Sequence, residues 1–139
     1  MFKHILVPTD GSDPSQEAVR RAVRFAKAAG AHITAFYSRE SKSGKLAEEQ
    51  ASEILGFVEN LCCGADISCK KLSWASDSPH EAILKAAEQF GCDLILMASN
   101  GHKGFKKLLL GSVTQEVLTH STIPVLVYRS SQGQDELSA

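Results

Sequence analysis

The chain has 139 residues, of which 43% are hydrophobic, and this is enough to bury the core of one domain. Its formal net charge is −1, with 22% charged residues, so the overall charge does not predict binding to nucleic acid or to a membrane surface, and any electrostatic function must be local. No apolar run approaches the roughly 20 residues of a membrane span, and the start is too short for a secretory signal. We therefore expect a cytoplasmic protein that binds neither nucleic acid nor membrane.

The first half of the chain alternates apolar runs with amphipathic segments. Residues 3–7 and the following Pro8 are typical of a strand buried on both faces. A helix is predicted next, with Asp13 as its cap, Pro14 in its first turn and Gly30 at its end. These signals predict a first strand and a helix packed on a sheet.

The middle of the chain continues the alternation. A second strand is predicted at residues 32–37, and a second helix from apolar residues at helical spacing between 46 and 61. Residues 67–74 indicate a third strand, and Lys70 and Lys71 interrupt its apolar pattern. This strand is therefore expected at a partly exposed edge of the sheet.

The second half contains the clearest signals. A third helix is predicted from Ser78-Pro79-His80-Glu81 to Gly91, and a buried strand at residues 94–98. A short helix at 112–120 and a strand at 124–128 follow. Such alternation predicts one α/β domain, residues 1–130, with an open, mostly parallel five-stranded sheet and about four helices on both faces. Residues 131–139 are expected to be a flexible tail.

The four cysteines have no recognisable metal-binding or redox spacing. Cys62, Cys63, Cys69 and Cys92 match neither a zinc ribbon nor a CxxC pair. We expect buried or half-buried thiols, with a redox role as the minor alternative. The five histidines show no paired metal-ligand spacing either, so no metal site is predicted.

The loops after the first and fourth strands are the candidate ligand site, because open α/β sheets bind ligands where the strand order reverses. The loop after residue 98 combines three glycines, one histidine and three lysines before Ser112. Glycine backbone and a helix N-terminus favour phosphate. The alternatives are a solvated basic turn for the lysines, including Lys103, and turn geometry or close packing for the glycines, including Gly111. No Walker A or GxGxxG motif is present, so the residues alone indicate a possible anion site.

The loop after the first strand carries an Asp-Gly pair. Asp10 before Gly11 is typical of a turn in which the carboxylate accepts backbone N–H groups. A ligand contact by the same carboxylate is the alternative. No Ser-His-Asp or Cys-His combination can be assembled, so no catalytic site is predicted. Slow hydrolysis of a bound phosphate, with His102 or Asp10 orienting a water molecule, is the most that we expect.

These two loops together carry a family resemblance. Pro8-Thr9-Asp10-Gly11-Ser12, with Gly101, nine intervening residues and Gly111-Ser112, resembles the nucleotide-binding pattern of universal stress proteins. The similarity covers nearly the whole chain, through residues 118–121 and 124–127. It implies a Rossmann-like fold of the adenine nucleotide alpha hydrolase type, ATP or ADP as ligand, and Mg²⁺ as an optional bridging ion. It also implies a homodimer paired through residues 124–128.

The resemblance assigns roles residue by residue. Asp10 would contact the ribose, Tyr37 would form a wall for the adenine, and Pro8 and Thr9 would line the base and sugar. Gly101 and Gly111 would admit the phosphates. The candidate ligand-binding residues are Pro8, Thr9, Asp10, Tyr37, Ala98, Asn100, Gly101, His102, Lys103, Gly104, Gly111, Ser112, Val113 and Thr114.

Two positions depart from the family pattern. That pattern begins with glycine at the Ala98 position and commonly has histidine at the Asn100 position, so the alanine methyl group is expected to weaken binding. A dimeric scaffold that binds no nucleotide is therefore the second hypothesis. A third is an ATP-pyrophosphatase-like enzyme, suggested by residues 9–13, which lack the paired glycines of that loop.

Overall fold

The computed structural model describes residues 2–40, 44–100 and 110–129. Within these ranges the chain forms the five strands and four helices that were predicted. The expected tail, residues 131–139, lies outside them. No helix in the described part is long and apolar enough to cross a membrane. The elements are β1 (His4–Pro8), α1 (Asp13–Ala29), β2 (His32–Arg39), α2 (Lys45–Gly64), β3 (Cys69–Ala75), α3 (Pro79–Gln89), β4 (Leu94–Ala98), α4 (Ser112–His120) and β5 (Val125–Tyr128).

The strands form one parallel sheet in the order β3-β2-β1-β4-β5. Parallel neighbours need crossover connections, and each helix of the alternation provides one. The chain runs from β1 outward to β3 and then returns to the other side of β1 to form β4 and β5. The strand order therefore reverses between β1 and β4, at the centre of the sheet.

Each face of the sheet packs against a pair of helices. In β1, Ile5 and Val7 lie in the core beneath α1 and α2, whereas Leu6 lies in the core beneath α3 and α4. All three side chains are fully buried. Because this part of β1 is covered on both faces, its side chains are apolar, which explains the short uninterrupted apolar run.

The third strand is an edge strand, as predicted. Lys70 and Lys71 are exposed, and the Lys71 ammonium lies 3.0 Å from the Glu59 carboxylate. β2 extends two residues further than predicted because pairing with β3 continues to Arg39 and Ala75. This extension depends on pairing with β3, so the apolar pattern of β2 alone does not predict it.

The start of α1 differs from the prediction by one residue. Ser12, not Asp13, is the N-cap, and its hydroxyl accepts a hydrogen bond from the Ser15 N–H at 3.4 Å. Asp13 is the first helical residue and places a carboxylate near the positive end of the helix. At the other end Gly30 is the C-cap in the left-handed conformation, with φ of 71°, as its position predicted.

The cysteines follow the expectation with one exception. All four thiols are free; Cys62 and Cys92 are buried, and Cys69 is half-buried. Cys63 is exposed, so the expectation of burial is wrong for it. Cys62 faces the sheet from α2, and the next residue of a helix is rotated by about 100° from it toward solvent.

Asp93 ties the starts of β1 and β4 together. Its two carboxylate oxygens accept hydrogen bonds from the N–H groups of Lys3 (2.9 Å) and His4 (3.1 Å). Burial alone would raise the pKa of this carboxyl group, but these N–H groups outweigh it and the pKa is lowered. A lowered pKa means that the carboxylate stabilises the fold above its unfolded pKa, and that this stability is lost as pH falls through the folded pKa.

We expect Asp93→Ala to lower the free energy of unfolding by about 1 kcal/mol at neutral pH, because two strand-end N–H groups lose a charged acceptor. Urea unfolding at pH 7 and pH 3 measures this directly. The gap between the wild type and the variant should begin to shrink below about pH 4, where the carboxyl group of the unfolded chain takes up a proton, and should shrink further as pH falls through the lower pKa of the folded protein. A gap of the same size at both pH values would show that the charge has no part in the effect.

Candidate functional site

The carboxyl ends of β1 and β4 lie side by side at the reversal of strand order. Pro8 and Ala98 are the last residues of these strands, and the following loops leave the sheet there. Ligands of open α/β sheets bind in the crevice that such diverging loops create. This is the place in the fold where the predicted ligand residues are brought together.

The loop after β1 is held by its own backbone and hydroxyl groups. The Thr9 N–H donates to the Phe36 carbonyl at 2.9 Å, so the loop continues along β2. The Thr9 hydroxyl accepts from the Gly11 N–H at 3.2 Å. Gly11 has φ of +81°, and a Cβ there would lie 2.9 Å from Ile54 Cγ1 on α2. Conformation and space therefore both favour glycine at this turn.

Asp10 is the centre of a polar cluster at the N-terminus of α1. Its Oδ1 accepts hydrogen bonds from the Ser12 N–H at 2.9 Å, from the Ser12 hydroxyl and from the Ser15 hydroxyl at 2.8 Å. Thr9, Ser12 and Ser15 are all buried. Asp10 therefore makes the turn predicted from the Asp-Gly pair, and its carboxylate is held in one orientation beside the positive end of the helix.

The loop after β4 is fixed at both ends. The Ser99 N–H donates to the Tyr128 carbonyl at 2.9 Å, and the Gly111 N–H donates to the Ser99 carbonyl at 2.8 Å. The Thr114 hydroxyl is buried and donates to the Ala98 carbonyl at 2.9 Å. The first turn of α4 is thereby attached to the end of β4. The predicted residues Gly101, His102, Lys103 and Gly104 lie between these attachments, outside the described residues.

Gly111 is required by close packing. A Cβ at this position would lie 3.2 Å from Asn100 Cα and 3.3 Å from Asn100 Cβ. Its φ of −66° is available to any residue, so the left-handed conformation is not the reason for glycine here. Close approach to Asn100, one of the alternatives left open by the sequence, accounts for this glycine. Because the N-cap is a glycine, no cap side chain covers the N-terminus of α4.

The Ala98 methyl group lies in the core of the domain. Ala98 is only 7% exposed and belongs to the core cluster beneath α1 and α2, together with Val7 and Leu96. The departure from the family glycine is therefore accommodated inside the core. Asn100, the second departure, is half-buried and lies directly against Gly111.

The remaining predicted residues take different positions around this crevice. Tyr37 is half-buried near the carboxyl end of β2, and it packs against the core on the α1 and α2 side. Ser112 is exposed in the first turn of α4, whereas Val113 packs against the core on the α3 side. Ser112 therefore offers a hydroxyl to the crevice mouth, and Val113 and Thr114 position the helix.

Ser38 is a candidate site residue that sequence analysis missed. Among the described residues its hydroxyl is the buried side-chain polar atom that has no hydrogen-bond partner. It lies at the carboxyl end of β2, directly after Tyr37, and pairs with Trp74 of β3. An unsatisfied buried hydroxyl costs about 1–3 kcal/mol, so a partner beyond the described residues would stabilise it. A single serine near a strand end gives no sequence signal for this.

We expect Gly111→Ala to lower the free energy of unfolding by about 1–3 kcal/mol, because its methyl group would press on the backbone of Asn100. Gly56→Ala is the matched control, since no atom of another element lies within 4 Å of a Cβ built at that helical position. That variant should gain up to about 1 kcal/mol from helix propensity. Equal effects of the two substitutions in chemical denaturation would contradict the packing explanation for Gly111.

Comparison with known proteins places this geometry in one family. The profile described as the universal stress protein family matches residues 1–129. Universal stress protein MJ0531 of Methanocaldococcus jannaschii is 31% identical over 149 residues, covering 96% of this chain and 86% of that protein. The solved structure of hypothetical protein MJ0577 from the same organism is 29% identical and has a TM-score of 0.77, with 94% of this chain and 97% of that one covered. A universal stress protein solved in complex with cAMP is 25% identical, with a TM-score of 0.76 and coverage of 92% and 97%.

Proposed function

The chain belongs to the universal stress protein family, and on that premise we propose that it binds an adenine nucleotide across the ends of β1 and β4. The observation that carries the proposal is the pair of loops fixed at the reversal of strand order, one presenting the oriented Asp10 carboxylate and the other the glycine-capped start of α4. The relative that contains cAMP supports an adenylate as the class of ligand.

The proposed ligand has its ribose at Asp10 and its base toward the end of β2. A carboxylate accepts well from ribose hydroxyl groups, and the Ser12 and Ser15 donors hold this one in place without a ligand. Tyr37 and Ser38 lie at the strand end beside Thr9, where the Ser38 hydroxyl would bond to the polar edge of the base. In this arrangement the base would supply the hydrogen-bond partner that the buried Ser38 hydroxyl lacks among the described residues.

The phosphates are proposed to lie at the N-terminus of α4. Gly111 is the N-cap of this nine-residue helix and makes no side-chain cap hydrogen bond. Backbone N–H groups of a first helical turn bind phosphate oxygens, and the helix dipole favours their charge. Ser112 is exposed at the same turn and adds a hydroxyl donor.

We propose ATP or ADP as the nucleotide, with Mg²⁺ bound through the phosphates. Among the described residues no group of three or more histidines, cysteines or carboxylates could hold a metal ion. A magnesium ion commonly keeps several waters and binds substrate phosphates, so it does not need a protein cage. Its role would be to offset phosphate charge beyond what backbone N–H groups provide.

A homodimer paired through β5 and a cytoplasmic location complete the proposal. β5 is an outer strand of the sheet, and Leu126 on it and Leu118 on α4 are 38% and 42% exposed. An apolar strand edge favours pairing with a second strand.

Four free thiols fit a reducing compartment. The non-binding scaffold is not favoured, because the Ala98 methyl group that suggested it packs in the core.

The direct test is calorimetric titration of nucleotide-free protein with ATP and ADP, with and without Mg²⁺. Asp10→Asn is a better control than Asp10→Ala, because asparagine keeps the Oδ1 acceptor on which the turn depends and replaces the second oxygen by an amide nitrogen. We expect the wild type to bind, and Asp10→Asn to bind about tenfold or more weakly through loss of an acceptor for the ribose.

Titration with 2′,3′-dideoxy-ATP separates the ribose contact from the fold. The wild type should bind it about tenfold or more weakly than ATP, and Asp10→Asn should show little difference between the two ligands. A wild type that binds no adenine nucleotide would show the proposed function to be wrong. Binding without discrimination against the dideoxy sugar would show only that the role of Asp10 is wrong.

Substitution of Ser38 by alanine should raise the stability of the ligand-free protein and lower its affinity for ATP. In the ligand-free protein Ser38→Ala removes an unsatisfied hydroxyl and should raise the free energy of unfolding by about 1 kcal/mol. Affinity for ATP should fall, because the base loses a partner. Ser73→Ala is the control: its hydroxyl accepts from Arg39 Nε at 3.2 Å, so its loss should reduce stability and leave affinity unchanged. Lower stability with unchanged affinity in Ser38→Ala would contradict the assignment.

A further inference from the structure

Two histidines meet at the amino ends of β1 and β2, at the opposite end of the strands from the proposed nucleotide crevice. His4 and His32 are the first residues of these strands and are paired directly in the parallel register. Their imidazole rings are stacked, with ring centroids 4.0 Å apart and planes inclined by 26°. His32 is exposed, whereas His4 is half-buried. A proton on each ring would therefore place two like charges in contact where the two strands start.

The surroundings of the His4 ring favour its neutral form. Its Nε2 lies 2.6 Å from the hydroxyl oxygen of Thr34, which is fully buried, and 3.6 Å from the sulfur of Cys92, which is also buried. The nitrogen of a neutral imidazole accepts a hydrogen bond from such a hydroxyl. A protonated imidazole would have to donate there instead, so the Thr34 hydrogen would need another acceptor, and the cation would lie against a buried thiol.

The charged groups around His4 come from three neighbouring segments of the chain. Burial is the largest cause of the lowered pKa of His4, and the positive charge that His32 can carry on β2 is the second. Lys70 on β3 acts in the same direction, whereas the Asp93 carboxylate before β4 and the Phe90 backbone act against it. The Asp93 oxygens already accept hydrogen bonds from two backbone N–H groups at the start of β1. Nearby negative charge therefore does not offset burial and the two cationic groups.

We propose that the stacked His4–His32 pair is an acid-sensitive latch between β1 and β2. At neutral pH the neutral His4 ring contacts Thr34 and Cys92 and closes this end of the sheet. In mildly acidic solution both rings take up protons, and the two cations repel each other beside Lys70. The rings then separate, and solvent reaches the Cys92 thiol.

The direction of the pH effect follows from the lowered pKa of His4. As pH falls, the unfolded chain takes up a proton at this histidine before the folded protein does. The stability that neutral His4 provides is therefore complete above the ordinary histidine pKa of about 6.5, and it is lost as pH falls through the lower folded pKa. The carboxyl group of Asp93 titrates at lower pH, so the two effects are separable. The inference stands independently of the proposed function.

NMR titration of the imidazole signals of the wild-type protein tests the charge state directly. We expect His4 to take up its proton at a lower pH than the histidine of an unstructured peptide. In His32→Gln the proton should be taken up at a higher pH than in the wild type, because the neighbouring charge is gone. A wild-type His4 ring that titrates with the peptide or above it would overturn the proposal. Because this comparison uses the wild type, a variant that fails to fold does not affect it.

Urea unfolding at pH 7.5 and pH 5.5 measures the effect on the fold. On acidification the equilibrium constant for unfolding should rise roughly three- to tenfold more in the wild type than in His4→Gln, and tenfold is about the limit for one histidine. Glutamine keeps an acceptor for the Thr34 hydroxyl and does not titrate. His120→Gln is the matched control, since His120 is exposed on α4 and should not change the acid loss that His4 causes. Equal rises in the wild type and in His4→Gln would contradict the latch.

Labelling of Cys92 with a pyridyl disulfide, which reacts with thiols at both pH values, shows whether the latch opens. Cys62 is the internal control, because it is also buried but lies in the core on the other face of the sheet. The ratio of Cys92 to Cys62 labelling should rise about threefold or more from pH 7.5 to pH 5.5 in the wild type and stay constant in His4→Gln. A constant ratio in the wild type would show that this end of the sheet does not open separately, and the proposal would be wrong.

Discussion

The parallel pairing of β1 with both β2 and β4 is the constraint on which the rest of the molecule depends. Ile5, Leu6 and Val7 of β1 are fully buried, so this part of the strand is apolar and ligand contacts have to come from the loop that leaves it. The connection that leaves β1 leads to α1 on one face of the sheet, and the connection that leaves β4 leads to α4 on the other face. The two outgoing loops therefore separate, and a crevice opens between them.

Most polar side chains around this crevice first serve the protein itself. Asp10 Oδ1 holds the turn before α1, and the Thr114 hydroxyl holds α4 to the end of β4. Because Asp10 and the start of α4 are held in this way, a ligand would not have to order these groups, and less binding free energy is lost. What the crevice then presents is an oriented carboxylate, a helix start with a glycine cap, and the hydroxyl of Ser38. This division between groups that build the site and groups that face the ligand is the basis of the proposed binding mode.

The elements near the crevice were the most predictable parts of the chain. β4 and α4 begin and end at the residues that local patterns indicate, since an uninterrupted apolar run and a glycine boundary are local signals. Two features that escaped sequence analysis depend on contacts between distant segments. β2 is extended by β3, and Ser38 is notable only because no described neighbour bonds to it. The close approach of Gly111 to Asn100, which explains the glycine, is visible only in the structure.

Hydrogen exchange of the protein with and without ATP and Mg²⁺, read by mass spectrometry, tests the placement of the ligand most directly. The account predicts slower exchange of backbone amides in residues 9–12, 37–40 and 110–114, which surround the reversal of strand order, and unchanged exchange in β3. Protection confined to β3 or to the outer edge at β5, or no protection at saturating nucleotide, would contradict a ligand lying between the ends of β1 and β4.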